Sequence, residues 1–347
     1  LRMIERDGRD EHIDAITAFG LNVRGELRDT ELVHHAVAEC VDIQTECLTA
    51  NGWKTYEQLV VGDSIAEYED GYLRWGRLQA VNVHDGHFEM IYLDAKDASM
   101  LVTANHRCVV RNRKMRRVEI KTAETLTCYD EFPTSAPWQD NLDAPVSVEE
   151  AELIGYYLAE GHELMHGYAV GIAQSETANP SKCARLRALL DGLSADWVEA
   201  GKGHPRGVRS FRVYGYVGAR LRDLCPGKQF PAGFLYWSHE LLWALFCGFA
   251  NGDGHALKSG FGGQLSQKDK GRLDDAHALC VRLGMVASVV KGHGVGTVSI
   301  KTHNDGWHGL RCQDGSEAFD RTCFVGRVWC PTSSAGTWVA RRNGHGF

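Results

Sequence analysis

The chain has 347 residues, is 44% hydrophobic and 24% charged, and carries a formal net charge of −7. That length accommodates two domains or one large one, each with its own core, and the composition is that of a soluble globular protein. The negative balance excludes an indiscriminate polycation, so any nucleic-acid contact has to come from local basic patches.

No apolar run approaches ~18 residues, which argues against a membrane span, and no signal peptide is visible. Eleven cysteines, an odd number without C-x-x-C pairs, point to reduced thiols in a cytoplasmic compartment. The chain begins with Leu1 and stops at Phe347 in mid-pattern, and is expected to be a fragment of a longer translation product.

Residues 1–46 are charged, with a helix expected from Thr30 to Cys40, and are too short to bury a core alone. From Cys47 to about Trp138 the texture is short strands and turns. Ser64 to Tyr68 ends at Asp70-Gly71, a hairpin signal; Leu78 to Val83 and Met90 to Leu93 alternate; Met100 to Val102 leads into Thr103-Ala104-Asn105-His106. Pro145 opens a different region, where Val148 to Ala159 reads as a helix with Ser147 as cap and Glu149 and Glu150 in its first turn. Strands and helices alternate to about Lys301, and β texture returns from Thr322. A β domain is thus expected to be interrupted by an α/β insertion and then resumed.

Two segments of the insertion resemble each other, Leu153 to Gly161 and Leu245 to Gly254. In each, small residues stand four apart, Gly155 and Ala159 in one and Gly248 and Gly252 in the other, so two helix backbones can approach closely. Each segment ends in an acid followed by glycine, Glu160-Gly161 and Asp253-Gly254. Crossing the helices would bring the acids together, where repulsion asks for a cation. Carboxylates and water suit Mg²⁺, which supports in-line phosphodiester hydrolysis. The alternative is a pair of solvated acids.

These paired helices resemble the motifs of LAGLIDADG homing endonucleases, and so do Lys228-Gln229-Phe230-Pro231 before the second helix and Gln264 to Lys268 after it. The resemblance covers about Val146 to Lys301, with Glu160 in place of the usual aspartate. It implies a Mg²⁺-dependent nuclease with Glu160 and Asp253 as catalytic metal ligands. It also implies a double-stranded DNA partner touched by Arg206, Arg209, Arg212, Gln264, Lys268 and Lys301; a solvated basic loop is the alternative for the basic residues.

Around the insertion, Cys47-Leu48-Thr49-Ala50-Asn51-Gly52-Trp53 through Val61-Gly62-Asp63 resembles the first block of inteins. Thr103-Ala104-Asn105-His106 matches their T-x-x-H block, and Arg327 to Thr332 through Asn343-Gly344 resembles their C-terminal strands, most closely in phage and bacterial inteins. The implied fold is the all-β Hint horseshoe interrupted by the two-repeat α/β endonuclease. The expected division is an extein fragment 1–46, Hint residues 47–144 and 304–347, and an endonuclease 145–303, in a monomer with host exteins in cis. Cys47 would attack the carbonyl of Glu46 to give a thioester, His106 would protonate the leaving amine, and Thr103 and Asn105 would hold the peptide. Cys330, where most inteins carry aspartate, is either an acyl acceptor or a buried thiol. The alternatives to this double activity are a DNA-binding remnant that cleaves nothing and an inert β scaffold.

Overall fold

The structure, a computed structural model, describes residues 39–95, 98–139, 144–164, 169–204, 206–256, 262–291, 294–301, 306–310 and 319–346. The first β region contains β1 (Val41–Asp42), β2 (Glu46–Thr49), β3 (Gly52–Lys54), β4 (Ser64–Glu69), the long β5 (Tyr72–Ala95), β6 (Ala98–Thr103), β7 (Arg107–Asn112), β8 (Val118–Thr122) and β9 (Asp130–Pro133). The insertion runs α1 (Val148–Glu160), β10 (Gly161–Glu163), β11 (Val170–Ser175), α2 (Pro180–Gly192), β12 (Asp196–Ala200), β13 (Val208–Tyr214) and α3 (Gly215–Leu224). It continues with α4 (His239–Asp253), β14 (Gly254–Ala256), β15 (Gly262–Gln267), α5 (Lys270–Arg282), β16 (Val286–Lys291) and β17 (Gly296–Lys301). The last β region is β18 (Trp307–Gly309), β19 (Phe319–Ser333), β20 (Ala340–Arg342) and β21 (His345–Gly346).

Strands from before and after the insertion build one β unit. β19 lies antiparallel along β5 from Phe319↔Leu93 to Ser333↔Leu78. β1 pairs with both β19 (Val41↔Trp329) and β6 (Val41↔Val102), and β6 returns to pair with the far end of β5. Strands β5, β19, β1 and β6 therefore close on one another around Ile91, Leu93, Met100, Val102 and Trp329, all buried. The boundary expected between residues 46 and 47 falls inside this unit, because β1 and Glu46 are already part of the sheet. The expected helix from Thr30 lies outside the described residues up to 38; its last two positions, Glu39 and Cys40, are not helical.

The inserted region is an internal duplication. Its first sheet has the order β10-β11-β13-β12, and β14 to β17 repeat it as β14-β15-β17-β16. Each set follows a helix that ends in an acid, and each packs one face against helices. α1 starts at a full capping box: the Ser147 side chain accepts from Glu150 N, and the Glu150 carboxylate accepts from Ser147 N. Both helices are apolar nearly all round because they are buried against each other and against two sheets; Tyr156, Tyr157, Leu245 and Phe249 are fully buried.

The second sheet of the insertion does not end at β16. β16 pairs with β21 through Ser288↔His345, and β21 leads through β20 to β2. An edge that would otherwise expose unpaired backbone groups is thus covered by the β unit.

Candidate functional site: a thiol rung and a helix seam

The small residues of the two repeats meet as their spacing predicts. A methyl group on Gly155 would lie 2.3 Å from Leu245 O, and one on Gly248 2.0 Å from Glu152 O. No side chain fits there, so glycine lets the helix backbones touch. A methyl on Gly252 would lie 2.2 Å from Ala159 Cβ and 3.1 Å from Glu160 Cγ, which puts the C-terminal ends of α1 and α4 side by side.

Glu160 ends α1 half-buried, and desolvation raises its pKa while Lys228 and Lys182 act in the opposite direction. Both lysines cap helix ends: Lys228 donates to Ala159 O at 3.0 Å and Lys182 donates to Asn251 O. Asp253 is the last residue of α4, and its side chain lies outside the described residues. A partly desolvated carboxylate at the junction of two helix ends is a hard oxygen donor of the kind Mg²⁺ takes, so this end of the seam fits the ion.

The expected DNA contacts divide by sheet face. On β13, Phe211 and Val213 are buried toward the helices while Arg212 between them is exposed on the other face; Arg206 is exposed in the turn before the strand. Arg209 has the parity of the buried face, pairs with Glu199 at 3.1 Å and donates to Gly201 O at 2.8 Å. Its charge is already committed within the protein, on the sheet face opposite Arg212. In the second sheet Gln264 stands opposite Ser299, and Lys301 opposite Gly262, away from the buried Leu265, Val298 and Ile300; Lys268 is exposed just past β15.

In the β unit, the groups expected around Cys47 gather around Cys40 instead. Cys47 lies in β2 between β3 and β20, fully buried, and its thiol reaches only Leu48 O at 3.8 Å among the described residues. Burial pushes that thiol well above its ordinary pKa. The Glu46 carboxylate before it is held by Arg341 at 2.7 Å. By contrast, Cys40 N donates to Thr103 Oγ1 at 3.1 Å, and Thr103 N donates to Cys40 O at 2.9 Å. The residue before Cys40, Glu39, has φ +71, a left-handed conformation that costs a non-glycine residue energy. Arg107 holds it there with a two-pronged ion pair to its carboxylate.

His106 follows in the turn that Thr103 starts, with its own N–H donating to Thr103 O at 2.9 Å. Burial lowers its pKa to about 4, against the opposing pull of a hydrogen bond with the Glu39 backbone and of the Glu39 charge. Its Nδ1 is buried with no partner among the described residues. Asn105 sits half-buried in the same turn.

Strand register explains why Cys330 is here as well. Val41 stands opposite Trp329, so Cys40 comes next in line opposite Cys330, and Cys330 stands opposite Asn82 on β5. Asn82, Cys330, Cys40 and Thr103 thus form one rung across four strands. Two residues along β5, on the same face as Asn82, is His84. Donor atoms of Cys40, His84 and Cys330 all lie within 4.8 Å of one another. The two thiols share a hydrogen bond that lowers the pKa of the less buried Cys330 and raises that of Cys40. A cavity of about 490 Å³ runs past the rung, lined among others by Glu39, His84, His106, Cys330 and Gly346.

Sequence reading missed Cys40 and His84. Cys40 closes the helical pattern expected from Thr30, which hides it. The available signal was a second thiol seven residues before Cys47, followed by Val41-Asp42 of strand character.

No protein-family model matches the chain, and no curated protein does. Among solved structures, the homing endonuclease I-DmoI in complex with DNA and Mn is similar at 15% identity, over 44% of this chain and 89% of that one, with a TM-score of 0.35. The N-terminal LAGLIDADG domain of DUF199/WhiA matches at 15% identity over 45% of this chain and 77% of that one, with a TM-score of 0.33. Full-length DUF199/WhiA from Thermatoga maritima matches at 15% identity over 46% and 54%, with a TM-score of 0.34. These likenesses are distant, and the functional reading rests on the geometry of the chain itself.

Proposed function

We propose that the protein is a self-rearranging β domain of the intein kind carrying an inserted duplicated module that binds and cuts double-stranded DNA. The observation that carries the first half is the hydrogen bond from Cys40 N to Thr103 Oγ1, at a peptide bond flanked by His106 and a second thiol.

The bond that breaks is Glu39–Cys40 rather than Glu46–Cys47. The Cys40 sulfur attacks the Glu39 carbonyl carbon, its proton passing to the Cys330 sulfur that already accepts its hydrogen bond. Thr103 fixes the amide nitrogen, and His106, neutral at rest and beside the Glu39 backbone, takes that proton on from Cys330 and hands it to the nitrogen as the C–N bond opens, so that both groups end as they began. An S–H and a peptide bond become a thioester and an amine, with no atom gained or lost. The left-handed backbone at Glu39 raises the energy of the starting peptide and so favours the shift. Cys330, a sulfur's reach away, is the natural second acceptor for the acyl group.

In the module, the exposed sheet faces carrying Arg206, Arg212, Gln264, Lys268 and Lys301 lie along the duplex. Glu160 and Asp253 would hold Mg²⁺, which supplies Lewis-acid stabilisation and an activated water when bound. Lys182 and Lys228, at the same helix ends, would offset phosphate charge.

Hydroxylamine treatment of the full chain tests the first half: a released peptide ending at Glu39, identified by mass, is expected, and one ending at Glu46 or none at all overturns it. Mg²⁺-dependent cutting of a randomised duplex library tests the second half. Binding without cutting would leave a DNA-binding module.

A further inference from the structure

We propose that Arg342 is a positioning residue for the Glu39–Cys40 rearrangement, and that the inserted module holds it in place through the strand that carries it. The strand that follows the breaking bond, β1, is only two residues long, with two ladder steps to β19 and one to β6. The left-handed backbone at Glu39 persists only where its surroundings over-determine it, and so short a ladder does little of that. Side chains supply the rest. Arg342 Nε donates to both carboxylate oxygens of Asp42 at 3.1 Å, two residues past Cys40. Thr45 Oγ1 donates to Asp42 Oδ1 at 2.7 Å, and Trp329 Nε1 donates to Asp42 O at 3.0 Å.

The same guanidinium reaches the neighbouring strands. Its Nη1 donates to Ser99 Oγ on β6 at 3.3 Å, its Nη2 donates to Gln44 Oε1 at 3.4 Å, and it lies 5.5 Å from the centre of the Tyr92 ring on β5. Arg342 thus ties β1 to β5 and β6. Both it and Asp42 are buried. A buried ion pair repays its own desolvation poorly, so what this one secures is the place of β1 more than the stability of the fold.

Strand alternation gives β20 a second clamp on its other face. Arg341, next to Arg342, pairs with Glu46 at 2.7 Å and with Asp274 of α5 at 2.8 Å. Beyond Arg342, Asn343 (φ +51) and Gly344 (φ +84) make a two-residue turn into β21. There Gly344 O accepts from Val289 N of β16 at 2.8 Å, and His345 stands opposite Ser288. The module therefore grips the chain on both sides of Arg342, through α5 before it and β16 after it, and belongs to the frame around the Glu39–Cys40 peptide. The clamp on β1 follows from these contacts; its part in the reaction rests on the reading of Cys40 as the nucleophile.

Hydroxylamine release of the 1–39 peptide from the full chain tests the role. Arg342→Gln and Asp42→Asn should each slow release about tenfold or more, and the two together no further than either alone, because they break one interaction. Arg342→Lys keeps the charge and should fall between the native and glutamine rates. On the module side, a methyl group on Gly344 would lie 2.4 Å from Val289 O. Gly344→Ala should therefore prise β21 from β16 and slow release about threefold or more. Additive losses, or a lysine variant no faster than the glutamine one, overturn the positioning role; native release in Gly344→Ala overturns the part given to the module.

Hydrogen exchange at the Val41 and Asp42 amides reads the same clamp without the reaction. It should quicken in Arg342→Gln and in Gly344→Ala while exchange in β4 stays native, which shows that the fold persists. Unchanged exchange at β1 in both variants overturns the clamp. Quickened exchange with release at the native rate overturns the positioning role. Quickened exchange in the variants of a protein whose native form never releases the peptide overturns the thioester reading and leaves the clamp on β1 standing.

Discussion

Cys40 and Cys47 lie seven residues apart and are both fully buried, yet their surroundings have opposite characters. Around Cys47 the strands and the charges are paired, although Trp53 Nε1 and His277 Nδ1 find no hydrogen-bond partner among the described residues. Its strand is flanked on both sides, and Arg341 bridges Glu46 to Asp274 of α5 at 2.7 and 2.8 Å while stacking over Trp53. The Trp53 ring lies 5.3 Å from His277. This is the seam that fastens the inserted module to the β unit. Around Cys40 the backbone is strained, a second thiol faces the first, and His106 stands beside the Glu39 backbone. A buried thiol is inert where its neighbours complete the packing, and reactive where they supply strain and proton partners.

The widest separation between the two thiols should come from replacing each. Cys40→Ala is expected to abolish hydroxylamine release of a peptide ending at Glu39. Cys47→Ala should leave that release intact and cost only about 1 kcal/mol of stability from the lost sulfur volume. Peptide mass and a denaturant titration of each variant check the pair, and the opposite pattern would restore Cys47 as nucleophile.

Acid should act on the Cys47 side. Burial, helped by the Arg341 charge, lowers the His277 pKa to about 3, and its ring bonds Ala287 O at 3.2 Å. The unfolded chain therefore takes up this proton near pH 6.5, well before the folded one does. Stability conferred by the neutral ring is full above pH 6.5 and is lost as pH falls toward 3, by roughly 4 kcal/mol. Denaturant titrations across that range should show the loss in the native chain and a shallower one in His277→Gln.

Asp275 on the same helix has the reverse sign. Burial, then the charges of Asp274 and Asp269, raise its pKa to about 7. Its cost to the fold is absent below the usual carboxylate range and grows as pH rises from there through 7. Asp275→Asn should stabilise the protein by about 2 kcal/mol at pH 8 and by nothing near pH 3.5. An equal effect at both values would mean that ionisation is not the cause.

The smallest change sharpens the Cys40 side. Thr103→Val keeps the β-branched shape and removes only the oxygen that receives Cys40 N, so release should slow by about tenfold while the fold persists. An unchanged rate would reduce that hydrogen bond to a packing contact.

How much was legible depended on distance along the chain. The alternation of β and α/β texture, the Ser147 cap, and the Gly155, Ala159, Gly248 and Gly252 spacing follow from local periodicity, and the helices cross where that spacing says. The Thr103–His106 turn was legible as a turn, and its partner was not: Thr103 lies 63 residues from Cys40. Arg209 looked like its neighbours Arg206 and Arg212, but strand alternation turned it to the inner face, where Glu199 claims it.

By itself, then, the sequence determined the interrupted β domain, the duplicated helices and the classes of residue available for chemistry, because these depend on neighbours within a turn or a strand. Only the tertiary structure decided which thiol stands in one rung with a second thiol, beside a histidine and under a strained peptide. Cys40 acquires its character from Asn82, His84, Thr103 and Cys330, which strand register aligns across most of the chain. No local pattern can encode that alignment, because a shift of one residue in a strand turns every side chain to the opposite face.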